Sequence, residues 1–127
     1  MAESLYREII LDHYRNPRNK GTLEPADYTY EDTNPLCGDE IRIDVRVKDG
    51  KVSEVRFSGR GCAISQASAS ILTEMIEDMP IEEVKALTKD DLLEELGVPV
   101  SPARMKCALL SLKVLKAGIY GVPQDDE

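Results

Sequence analysis

The chain is 127 residues long, 42% apolar, and carries 24 acidic against 16 basic side chains, a formal charge of −8. That length fits one domain, residues 1–127, with a modest core. The acidic balance argues against a nucleic-acid partner, which would call for a basic stripe. No apolar run approaches the roughly 20 residues that span a bilayer, and Met1-Ala2-Glu3-Ser4 lacks the features of a signal peptide. A cytoplasmic protein with no membrane partner is therefore expected. The three cysteines cannot all pair within one chain, in keeping with a reducing compartment.

Tyr6, Ile9, Ile10, His13 and Tyr14 recur at helical spacing, and Asn16-Pro17 stops this first helix. Arg18 to Pro35 is polar and turn-rich, with Tyr28 and Tyr30 hinting at a short strand. Ile41, Ile43, Val45 and Val47 then alternate with Arg42, Asp44, Arg46 and Lys48, which predicts a strand with one buried face. Asp49-Gly50 is a two-residue hairpin signal, and Val52, Val55 and Phe57 carry the returning strand.

After Gly61 the period becomes helical. Ile64, Ala67, Ser68, Ile71, Leu72 and Met75 mark one face, and the small Ala63, Ala67, Ser68 and Ala69 permit close packing. Pro80 begins a short helix with Ile81, Val84 and Leu87. Thr88 with Asp91 reads as a further helix start, which Gly97 and Pro99 end. Ser101-Pro102 opens a final helix with the stripe Met105, Ala108, Leu109, Leu112 and Ile119, before an acidic tail from Pro123 to Glu127. This order predicts an α+β fold: a small antiparallel three-stranded sheet with helices packed on one face.

The chemistry concentrates at Cys37, Cys62 and Cys107. Cys37-Gly38-Asp39 precedes the alternating strand, Cys62 follows Gly59-Arg60-Gly61 at a helix start, and Cys107 follows Arg104-Met105-Lys106 early in the last helix. Three thiols and Asp39 make four ligands, the number that a tetrahedral zinc or an edge-bound iron–sulfur cluster takes. A helix N-terminus and nearby cations favour a thiolate, which is the expectation for Cys62 and Cys107. Gly59 and Gly61 suit a sharp turn or a close approach. A buried cysteine is more often a small hydrophobe, yet three beside Gly, Asp, Lys and Arg favour chemistry. His13, the sole histidine, is assigned to packing. No serine–histidine–acid set, phosphate loop or dinucleotide fingerprint is present.

These residues resemble the U-type iron–sulfur cluster assembly scaffolds, the family of IscU, SufU and the N-terminal domain of NifU. Asn34-Pro35-Leu36-Cys37-Gly38-Asp39 looks like the family's first cysteine motif. Gly59 to Ser70 looks like the second in its SufU form, and Ala103-Arg104-Met105-Lys106-Cys107 like the third. The opening Leu5 to Tyr14, with Asn16-Pro17-Arg18-Asn19, is also SufU-like. The IscU branch has histidine where this chain has Lys106, as SufU does. SufU proteins usually add an insertion of about 20 residues between the second and third cysteines, a length with little loop-closure cost; here only 44 residues separate them.

The resemblance implies a scaffold rather than an enzyme. It would bind a transient [2Fe–2S] cluster or zinc through Cys37, Asp39, Cys62 and Cys107, and its three thiols would be persulfide acceptors. The implied partners are a cysteine desulfurase and recipient apo iron–sulfur proteins. The alternative is a zinc-dependent sulfurtransferase acting with a SufS-type desulfurase.

Overall fold

The computed structural model describes residues 2–34, 38–97 and 102–120. Helix α1 (Ala2–Arg15) leads into strands β1 (Tyr28–Asn34), β2 (Asp39–Lys48) and β3 (Lys51–Arg60). Helices α2 (Ala63–Ile76), α3 (Ile81–Ala86), α4 (Lys89–Leu96) and α5 (Pro102–Tyr120) follow. The three strands form one antiparallel sheet in the order β1-β2-β3. Asp49 and Gly50 both take positive φ, 57° and 77°, the left-handed pair that a two-residue hairpin turn needs. The register shifts between Arg46 and Val47, with Val47 opposite Val52 but Arg46 opposite Glu54. That extra residue on β3 brings Val52 and Val55, three apart, onto the same core-facing side as Phe57.

Ile41, Ile43 and Val45 of β2 complete the sheet's apolar face and are 3% exposed or less. Helix α5 lies across β1 and β2, α2 lies over β3 and against α5, and α1 packs on α2. Gly118 of α5 faces β1; a Cβ there would lie 3.3 Å from Cβ of Tyr30. Between α2 and α5, Ser68 Oγ donates to the carbonyl of Ala108 across small side chains. Among the described residues no helix is long and apolar enough to cross a membrane.

Two expectations need correction. Asp44, placed by the alternation on the polar face, is fully buried. Residues 19–27 run over that face, with Gly21 N–H donating to the Phe57 carbonyl and Asp27 N–H to that of Val45. The Asp44 carboxylate is satisfied there by Leu23 N–H, Thr29 Oγ1 and Arg42 Nε. The predicted stripe of α5 was also too narrow. Leu110, Ser111, Val114, Leu115 and Ala117 are buried as well, because the helix is covered by the sheet on one side and by α2 and α4 on the other.

Candidate metal centre

Asp39 is the first residue of β2 and shares its inner face with Ile41 and Ile43, with no exposed surface. Cys62 immediately precedes α2 as its N-cap residue, with extended backbone (φ −71°, ψ 168°) and no capping bond from its own side chain. Asp39 binds the cap residue itself: its Oδ1 accepts the Cys62 N–H at 2.9 Å. The first turn of α2 carries no acidic residue, so this carboxylate supplies the negative charge that the positive helix end favours. Ser65 Oγ closes the turn by donating to the Cys62 carbonyl at 3.1 Å.

Glycine is required on the approach. Gly61 has φ 156°, and a Cβ there would fall 2.3 Å from Asp39 Oδ1 and 2.6 Å from Ser65 Oγ. At Gly59, φ 129°, a Cβ would sit 2.0 Å from the Glu40 carbonyl oxygen across the β2–β3 pair. Both glycines therefore serve the close approach that the sequence suggested.

Cys107 meets these groups from α5. A carboxylate oxygen of Asp39 and the sulfurs of Cys62 and Cys107 all lie within 4.8 Å of one another. Cys62 is half-buried and Cys107 is wholly buried. Cys37 lies outside the described residues. The expectation that the α5 N-terminus assists Cys107 is not met: Cys107 is the sixth residue of that helix, beyond the first turn where the dipole acts. Arg104 and Lys106 are exposed. His13 is remote in role, as expected; it is 7% exposed and its Nδ1 lies 2.7 Å from Ser70 Oγ, tying α1 to α2.

A further neighbour comes from the first cysteine motif, where the sequence assigned it no role. Asn34, the last residue of β1, pairs with Asp39 in the sheet register, and its Nδ2 lies 3.9 Å from Cys107 Sγ. The polar run Tyr28 to Asn34 has no apolar alternation to extend the strand to that point.

The donor set suits a soft metal. Thiolates select zinc and iron–sulfur clusters. Tetrahedral zinc with Zn–S bonds of about 2.3 Å sets sulfurs about 3.8 Å apart, so the observed grouping needs only a small contraction.

The sequence from residue 5 to residue 126 matches the model of the NifU-like N-terminal domain. The chain belongs to this family. The chain is 40% identical to the zinc-dependent sulfurtransferase SufU of Bacillus subtilis, with 92% of this chain and 90% of that protein covered. That alignment runs to 134 positions, more than this chain has residues, so the relative carries stretches absent here. The iron–sulfur cluster assembly scaffold protein IscU 1 of Archaeoglobus fulgidus is 36% identical over 91% of this chain and 74% of its own. Among solved structures, FiSufU from Fervidobacterium islandicum AW-1 superposes with a TM-score of 0.79 at 28% identity, covering 92% of this chain and 98% of that one. A U-type scaffold with an α+β fold is what the sequence resemblance implied.

Proposed function

We propose that this chain, as a single cytoplasmic domain, is a scaffold on which a [2Fe–2S] cluster is assembled and from which it passes to apo-proteins. The observation that carries this reading is the convergence of Asp39 with Cys62 and Cys107 where β2, α2 and α5 meet. Cys37 is the fourth ligand in this proposal. Thiolates grip iron firmly, whereas a carboxylate is a poorer donor to a thiophilic cluster and gives an incoming thiol a place to attack. Sulfur arrives from a cysteine desulfurase. A thiolate of this chain attacks the terminal sulfur of the desulfurase persulfide; a new S–S bond forms, the old one breaks, and the desulfurase thiolate leaves. Cys62, half-buried where Cys107 is wholly buried, is the more accessible acceptor of the two.

A second reading is supported by the SufU relative at 40% identity. Zinc would be held by Asp39, Cys62, Cys107 and Cys37, and when bound it keeps the thiols deprotonated. Cys62 or Cys37 would then accept sulfur from a SufS-type desulfurase and pass it on.

Anaerobic isolation, metal analysis and reconstitution of the wild type and Asp39→Ala separate the two. A cluster scaffold gives visible absorbance in both proteins, and Asp39→Ala releases its cluster to an apo-acceptor more slowly than wild type. Faster loss from the variant would remove the release role of Asp39. Tight stoichiometric zinc with no cluster in either protein favours the sulfurtransferase.

A further inference from the structure

The two described thiols of the site have unlike surroundings. Cys62 Sγ faces a carboxylate, with Asp39 Oδ2 4.0 Å away. Cys107 Sγ faces an amide, with Asn34 Nδ2 3.9 Å away. Asn34 is 7% exposed and sits directly opposite Asp39 in the β1–β2 register, so both side chains leave the same face of the sheet. A primary amide offers two N–H donors, and burying it is unfavourable unless they are used. Asparagine is also a poor strand former. A sulfur that becomes negative on losing its proton or binding a metal is a stronger acceptor than a neutral thiol. Hydrogen bonds to ligating sulfurs orient them and tune the metal they hold.

On the reading of these residues as a metal site, we infer that Asn34 is a positioning residue for Cys107. Its side-chain N–H holds that sulfur toward Asp39 and Cys62 and draws electron density from it. The result is a division of labour: Cys107 is the anchored, less nucleophilic thiolate, and Cys62, half-buried at the start of α2, is the more accessible one that reacts.

Cobalt(II) is the probe. Wild-type protein titrated anaerobically should show sulfur-to-cobalt charge-transfer absorption. Asn34→Leu keeps the size of the side chain and Asn34→Asp its shape; both remove the N–H donors. In each the band should move to longer wavelength, since a thiolate relieved of its hydrogen bond is the better electron donor, and cobalt affinity should fall about 10- to 100-fold. The shift should survive in a Cys62→Ser background and vanish in Cys107→Ser. A merely structural role would lower the melting temperature without moving the band. An unmoved band in folded variants overturns the role of Asn34 and leaves the metal site standing. Absence of any thiolate band in the wild type overturns the site itself. Should neither variant fold, the wild type loaded with an NMR-active cadmium isotope decides the matter. Scalar coupling between cadmium and the Asn34 side-chain protons supports the inference, and its absence overturns it.

Discussion

His13 enters the fold uncharged. Burial lowers its pKa first, the nearby Arg18 lowers it further, and Glu74 and Asp12 only partly oppose this. Ser70 Oγ accepts from Arg18 N–H at 2.9 Å and lies 2.7 Å from His13 Nδ1, while Nε2 lies 3.7 Å from a Glu74 carboxylate oxygen. With the folded pKa below the unfolded value of about 6.5, the unfolded chain binds more protons between the two. Stability is therefore complete above that value and declines as pH falls toward the folded pKa. The urea midpoint should drop between pH 7.5 and pH 5.5, a window above ordinary carboxylate titration. His13→Gln, which keeps a hydrogen-bonding group for Ser70, should flatten that dependence; equal slopes would show the imidazole to be already solvated. At this scale the sequence was legible where a residue type has one common use, as with His13 or the glycines beside Cys62. It was illegible for Asp44 and Asn34, whose burial depends on segments distant in the chain.

Periodicity read the hairpin and the α4 cap well, because both are local. Thr88 and Asp91 bond reciprocally, at 2.9 and 3.2 Å, and Gly97 closes α4 with φ 74°. It failed on α5 for a physical reason: a helix buried on several sides has no single stripe, so Leu110, Val114 and Leu115 fell outside the predicted one. The same enclosure strands Ser111, 1% exposed, whose hydroxyl has no hydrogen-bond partner among the described residues. Ser111→Ala removes that penalty and improves helix propensity, so a gain of about 1 kcal/mol is expected, measured as a higher urea midpoint. A lower midpoint would show that the hydroxyl is satisfied in solution.

Three separate elements contribute to one site, and no spacing rule could have announced that Asp39, Cys62 and Cys107 meet; the count of soft donors and the motif resemblance pointed there. Cys37 completes the proposed set from outside the described residues. A metal bound to the folded form alone stabilises it by mass action. Chelation should lower the melting temperature and speed amide exchange first at Asp39, Cys62 and Cys107. An unchanged melting curve after verified metal removal would show that the site contributes no folding energy. The same arrangement has a reciprocal side. Asp39 belongs to β2, Cys62 to the start of α2 and Cys107 to α5, so in the proposed scaffold the grip on the cargo is also a measure of how those three elements sit together. By linkage, any protein that binds better when they part must weaken the cargo's hold by the factor by which the cargo weakens its own binding. A partner could thus unload this site without touching a ligand, simply by preferring the elements apart.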